Sequence, residues 1–116
     1  MEIPDKIKVG AYYFKVYFEK NLSRSRDRFG EFRPSPQEIA LDPDCTEDLQ
    51  GETLLHEVVE ALNWMYDMQL NHHIIALLGT GLHQILKEND LKIKAGDADG
   101  RQAEQRNAER PQASSK

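Results

Sequence analysis

The first forty residues contain short segments with alternating polar and apolar positions or with β-branched and aromatic residues, patterns that are typical of β-strands. Residues 6–9 alternate lysine with an apolar residue, and residues 12–18 are rich in aromatic and β-branched side chains. The turn-forming pair Gly10-Ala11 joins these segments into a predicted hairpin. Two more short strands are predicted at residues 29–32 and 37–41. Because the connections are short, we expect a small antiparallel β-meander.

The second half of the chain has a helical period instead. Apolar residues recur at intervals of three or four positions over residues 55–66 and again over residues 74–86, which predicts two helices with core-facing apolar sides. Asp44 and Thr46 are both suitable caps for the first helix. Residues 1–90 are therefore expected to form one α+β domain, in which the small sheet packs with two core helices.

The last part of the sequence has a different composition. Beyond Ile93 it contains no large apolar residue, only small, polar and charged residues and one proline. Such a segment cannot bury enough apolar surface to offset the entropy that is lost on ordering. We therefore expect residues 91–116 to form a disordered polar tail.

Charge and composition argue against several classes of function. The net charge of −5 argues against a dedicated nucleic-acid binder, because such proteins need a basic surface to neutralise phosphates. A run of about 18 apolar residues is absent, so we expect no membrane span. The single cysteine, Cys45, rules out an internal disulfide, and the amino terminus lacks the pattern of a secretory signal. A cytoplasmic protein is the simplest expectation.

The most specific chemical pattern lies in the first predicted helix, where His56, Glu57 and Glu60 form the motif H-E-x-x-E. The related motif H-E-x-x-H places two zinc ligands one helical turn apart and a glutamate beside them as general base. In this chain Glu60 occupies the position of the second histidine. His56 and Glu60 can still point at one ion, although an acidic, solvated helix face has the same spacing.

A catalytic zinc needs a third protein ligand, with its fourth position left for water. The second predicted helix offers His72, His73 and His83. If the two helices pack antiparallel, counting along them puts His83 nearest the level of His56, whereas a steep crossing angle brings the start of the second helix closer. The spacing alone leaves these alternatives open. With His83 as a fourth ligand, the site would be a structural zinc site.

A family resemblance is carried by two segments, T-L-L-H-E-V-V-E-A-L-N and H-H-I-I-A-L-L-G-T-G-L-H-Q-I-L-K-E-N. They resemble a family of small phage and prophage proteins with a zincin-like helix, distantly similar to the ImmA/IrrE and minimal gluzincin groups. The resemblance covers most of residues 3–89. In that family a β-meander precedes L-H-E-x-x-H-A, and the proteins are described as metallopeptidases. The resemblance implies zinc-dependent hydrolysis of peptide or protein substrates in the cytoplasm of a bacterial host.

The family's motif carries over onto named positions of this chain. His56 matches the first ligand and Glu57 the general base, while Glu60 stands where the family usually has histidine. Members often carry an acidic pair near the start of the second helix, where this chain has two histidines. The resemblance therefore implies that histidine and glutamate have exchanged places. The zinc ligands it implies are His56, Glu60 and His73, with His72 as the close alternative.

A second hypothesis keeps the fold without the chemistry. A glutamate at position 60 is also compatible with a protein that has kept the fold but lost catalysis. The chain would then be a non-catalytic interaction module of phage origin. Such a module would bind a host or virion partner. The two hypotheses differ in bound zinc and in hydrolysis that depends on Glu57.

Overall fold

The computed structural model of the protein describes residues 2–23 and 28–94. They form an α+β fold, as predicted, in which one four-stranded sheet packs with two helices. Of the predicted tail, residues 91–94 are described and Ile93 packs against the core, whereas residues 95–116 lie outside the described residues. Neither of the two helices has the length and apolar character needed to cross a membrane. The elements are β1 (Lys6–Val9), β2 (Tyr12–Phe18), β3 (Gly30–Arg33), β4 (Glu38–Leu41), α1 (Glu47–Tyr66) and α2 (His72–Glu88).

The sheet is mixed and has the strand order β1-β2-β4-β3. The pairs β1–β2 and β3–β4 are antiparallel, as expected, but β2 and β4 run parallel, with Lys15 opposite Glu38. The expected meander order is therefore corrected, because β4 lies between β2 and β3. Burial is the physical reason: Ile39, Ala40 and Leu41 are all fully buried, and a strand that is buried on both faces belongs in the middle of a sheet.

The hydrophobic core lies between the inner face of the sheet and α1. Its buried side chains come from β1, β2, β4 and α1, namely Val9, Phe14, Val16, Ile39, Leu41, Leu54 and Ala61. Leu54 and Ala61 are seven residues apart on one side of α1, so two turns of this helix rest on the sheet. The helix that carries the H-E-x-x-E motif is therefore held on a rigid support.

Polar side chains set the ends of the helices. Of the two predicted caps for α1, Thr46 is used, and its hydroxyl oxygen accepts the backbone N–H of Leu49 at 3.2 Å. α1 ends at Asp67, whose φ of 49° is left-handed. Asn71 caps α2 by accepting the backbone N–H of Ile74 at 2.9 Å. The predicted break between two helices is confirmed, and it is short enough for the helices to pack on each other.

Polar contacts between the helices show that α2 runs antiparallel to α1. The hydroxyl group of Thr80 donates a hydrogen bond to the carboxylate of Glu52 at 2.6 Å. About two turns further along α2, Lys87 contacts Asp48 at 2.7 Å, one turn earlier in α1. The start of α2 therefore lies towards the end of α1.

The apolar period of α2 predicts that its apolar side faces the core, but the structure exposes most of that side. α2 packs on α1 and not on the sheet, whose inner face α1 already covers. Ile75 is buried, but five other large apolar side chains of α2 are exposed, namely Ile74, Leu77, Leu78, Leu82 and Ile85. The helices instead approach each other closely at Gly79, where a Cβ atom would lie 2.9 Å from the Cα of His56.

Candidate metal centre

His56 and Glu60 lie one helical turn apart on the side of α1 that faces α2. The Nε2 atom of His56 is 3.6 Å from the Oε2 atom of Glu60. Both side chains are partly exposed, at 20% and 32%. An ion that approaches from solvent can therefore reach both of them.

His72, the first residue of α2, completes the group. Its ring centroid lies 5.2 Å from that of His56. One ligand atom from each of His56, Glu60 and His72 lies within 4.8 Å of the other two. Ligand atoms around a tetrahedral zinc are about 3.4 Å apart, given metal–ligand distances of about 2.1 Å. Small changes of side-chain rotamers are enough to close this difference, so the three residues fit a divalent ion.

The two adjacent histidines of α2 differ in position. His72 lies with His56 and Glu60, whereas His73, predicted as the third ligand, is exposed and outside the group. Consecutive residues of a helix point about 100° apart, so His73 turns away from α1 when His72 faces it. The cluster that the described residues form therefore contains the alternative histidine of the predicted set.

His83, the other alternative, lies at a different level of the helix pair. It is buried, at 7% exposure, and its Nε2 atom has no hydrogen-bond partner among the described residues. It lies one helical turn before Lys87, which contacts Asp48, and this places it near the start of α1. Among the described residues the candidate group has three members and not the four of a structural zinc site.

The group stands on the wall of an open cleft of about 530 Å³ between α1, α2 and the start of β3. The same wall includes Arg28, Gly30, Glu52 and Thr80. Sequence reasoning missed most of these residues, because they come from separate segments that only the tertiary fold brings together. A signal existed for Glu52, which lies four residues before His56 and continues the polar side of α1.

Glu57 also lines the cleft, but it is only 8% exposed. Burial raises the pKa of its carboxyl group to about 7, and the nearby charge of Glu60 acts in the same direction. Arg28 lowers this pKa in part, as does the backbone N–H of Phe32. A carboxyl group in this range can accept and release a proton near neutral pH.

Gly30, at the start of β3, allows α1 to approach the strand closely. A Cβ atom at this position would overlap the Cγ2 atom of Thr53 and lie 3.3 Å from the Cγ atom of Glu57. Any larger residue would therefore push the edge of the sheet away from α1. The absence of a side chain keeps the carboxyl group of Glu57 between the helix and the strand.

The electrostatics of His56 favour its neutral form. Burial lowers the pKa of its imidazole, and the neighbouring His72 also lowers it, whereas Glu60 raises it. A neutral imidazole is the form that binds a metal, because its free nitrogen lone pair is the donor. The protonation state of His56 at neutral pH is therefore the one that a metal ligand needs.

Comparisons with family models, curated proteins and solved structures gave no match to the chain. The resemblance to phage zincin-like proteins rests on the two quoted segments alone, and the metallopeptidase function stays a prediction. The geometry of the cleft is the basis on which a function is proposed.

Proposed function

We propose that the protein is a zinc-dependent metallopeptidase that hydrolyses peptide bonds. The observation that carries the proposal is the convergence of His56, Glu60 and His72 on one wall of an open cleft. Two imidazoles and one carboxylate are a ligand set of catalytic zinc sites, which keep a fourth position open. When bound, zinc supplies Lewis acidity, which lowers the pKa of water and polarises a carbonyl group.

Glu57 is the general base of the proposed reaction. Its carboxyl group lines the same cleft one residue after His56, and burial raises its pKa to about 7. In the deprotonated state the carboxylate takes a proton from the attacking water, and it then delivers that proton to the leaving amine. The raised pKa supports both steps, because the group gains and loses a proton with little cost near pH 7.

The position of β3 supports a peptide as the substrate. β3 is an edge strand of the sheet, and its first residue, Gly30, lines the cleft beside the candidate ligands. The backbone of an edge strand offers N–H and C=O groups that can pair with an extended peptide. A peptide that lies along this edge would pass the ligand group and the carboxyl group of Glu57.

Metal content is the first test of the proposal. We expect elemental analysis of protein purified without a histidine tag to give about one zinc per chain. We also expect calorimetric titration of the metal-free protein to show tight zinc binding that the His56→Ala variant loses. If wild-type protein binds zinc no more tightly than His56→Ala, the proposed metal centre is wrong.

Hydrolysis of an unstructured protein such as casein is the second test. We expect Glu57→Gln to bind zinc normally but to lose hydrolysis by at least about 100-fold, because it cannot accept a proton. Glu47→Gln, which changes an exposed glutamate in the first turn of the same helix, is the matched control and should keep full activity. Hydrolysis by zinc-loaded Glu57→Gln at the wild-type rate would exclude the assigned base.

A non-catalytic interaction module is the second candidate. The exposed apolar side chains of α2 favour it, since an exposed apolar patch marks a surface that binds another molecule. This candidate expects neither bound zinc nor hydrolysis. Elemental analysis therefore separates the two candidates before any assay of activity.

A further inference from the structure

The outer side of α2 carries an apolar patch that the described chain does not cover. We name this patch the outer α2 face. It consists of Ile74, Leu77, Leu78, Leu82 and Ile85, which are between 38% and 55% exposed. Their spacing of one, three or four positions places them on one side of the helix. Large apolar side chains that adjoin in this way favour association with a further surface.

The outer α2 face lies away from α1 and the cleft. Gly79 and His72, which contact α1 or the candidate ligands, are on the other side of the helix. Gly81 lies within the outer α2 face, and a Cβ atom there would meet nothing within 4 Å. The face is therefore open, and Gly81 forms a shallow depression between larger side chains.

The remainder of the chain cannot supply an apolar cover. Outside the described residues lie Met1 and the segments 24–27 and 95–116, and these two segments contain no Leu, Ile, Val, Phe, Met, Trp or Tyr. A lipid surface also fits poorly, because helices that lie on membranes are usually flanked by several basic residues. The helix has one Lys and no Arg, and that lysine, Lys87, pairs with Asp48.

We propose that the outer α2 face is a homodimer interface, in which α2 of one copy packs antiparallel against α2 of a second copy. The polar side chains near the two ends of the helix support this occupant and this direction, because an imidazole N–H can donate a hydrogen bond to a carboxylate. His73 and Glu88 flank the apolar residues on the same side, close to opposite ends of α2. Antiparallel pairing places His73 of each copy near Glu88 of the other. It also places the positive end of each helix dipole beside the negative end of the other, which is favourable.

The position of Gly81 supports the same arrangement. Gly81 lies midway between Ile74 and Glu88 in sequence, so it is near the centre of an antiparallel pair. If a two-fold axis passes through this point, Gly81 of one copy lies opposite Gly81 of the other. Because glycine has no side chain, the two helix backbones can then approach closely. Leu77 lies four residues before Gly81 and Ile85 lies four residues after it. Across the two-fold axis, Leu77 of each copy is therefore opposite Ile85 of the other. The face is therefore complementary to itself.

Sedimentation velocity of the full chain tests the interface. At concentrations of tens of micromolar, on the order of those that populate a weak dimer, we expect a species with twice the 13.3 kDa mass of the chain. Leu78→Lys should sediment as a monomer, because it puts a charge into the apolar face of each copy. Phe18→Lys is the matched control: Phe18 on β2 is 46% exposed, Leu78 is 43% exposed, and the control should remain dimeric.

Circular dichroism checks that both variants keep the helical content of the wild type. The proposal is overturned if the wild type sediments as a monomer at about 100 µM. It is also overturned if folded Leu78→Lys remains a dimer, since the interface would then lie elsewhere. Flotation of the wild type with phosphatidylcholine vesicles, lost in Leu78→Lys, would assign the face to lipid and would likewise overturn it. None of these measurements depends on bound metal or on activity.

Discussion

Both sides of α2 carry a glycine, but the surroundings of the two sides differ greatly. The inner side packs on α1, and at Gly79 it lies directly against the backbone of His56. The outer side has open space above Gly81 and exposes most of the large apolar residues of the helix. The comparison shows that hydrophobicity does not reveal which side of α2 is buried. Close backbone contact, not apolar area, fixes α2 where His72 meets His56.

The two glycines of α2 give the largest expected contrast between its sides. In Gly79→Ala the new Cβ atom would lie 2.9 Å from His56 Cα and 3.0 Å from its backbone nitrogen, and backbone atoms cannot move aside locally. We expect a loss of about 3 kcal/mol in the free energy of unfolding. Because α2 must move, zinc affinity should also fall. Urea denaturation of the metal-free protein measures the first effect, and calorimetric titration measures the second.

Gly81→Ala is the control for this prediction. The added Cβ atom meets nothing within 4 Å, so the main effect is the higher helix propensity of alanine, about 0.5–1 kcal/mol in favour of folding. Both glycine variants are best measured in the Leu78→Lys background, where self-association does not contribute. Equal destabilisation by the two substitutions would show that the inner side is no more tightly packed than the outer side.

The adjacent histidines extend the comparison to metal binding. His72 lies beside His56 and Glu60, and His73 is exposed one residue later. We expect His72→Ala to weaken zinc binding by at least about 100-fold, or about 2.7 kcal/mol, because a direct ligand is lost. His73→Ala should change the affinity by less than about threefold. If His73→Ala has the larger effect, His73 and not His72 is the ligand. The start of α2 would then have to be rotated about the helix axis when the ion is bound.

Much of this architecture was predictable from the sequence, because it depends on local patterns. The two helices follow from their apolar period, and the cap at Thr46 follows from its residue type. His56 and Glu60 share a helix, so their one-turn spacing predicts their proximity. Whether they bind zinc is still a prediction.

The parts that sequence reasoning missed depend on contacts between distant segments. The parallel pairing of β2 with β4 arises because β4 is buried on both faces, and short connections alone suggest neighbours in sequence order. The position of His72 beside His56, with His73 outside the group, depends on the rotation of α2 about its axis, which the contact of Gly79 with α1 sets. Arg28 reaches the cleft through the position of β3 at the sheet edge.

The pH dependence of the free energy of unfolding tests how strongly burial acts on the Glu57 carboxyl group, which lies beside the candidate centre. Its pKa is about 7 in the folded protein, against an ordinary value of 4.5. Between these values the folded chain keeps a proton that the unfolded chain has lost, so stability falls as the pH rises. We expect the metal-free protein to lose on the order of 2 kcal/mol between pH 5 and pH 7 from this group.

Glu57→Gln is the control that isolates this effect, because histidines titrate in the same range. Urea denaturation at both pH values gives the free energy of unfolding for each protein. The decrease between pH 5 and pH 7 should be larger in the wild type than in Glu57→Gln. Equal slopes would mean that water reaches the Glu57 carboxyl group and that its burial between α1 and β3 is not maintained in solution.

The contact between Lys87 and Asp48 gives the smallest expected effect. Their N–O distance is 2.7 Å, but both side chains are more than half exposed, at 52% and 59%. Water and salt screen such a pair, and ordering two long side chains costs entropy, so the net gain is small. We expect Lys87→Ala to shift the thermal midpoint by less than about 2 °C. A much larger loss would show that α2 is held on α1 by its polar rim, and the backbone contact at Gly79 would then no longer explain why the two sides of α2 differ.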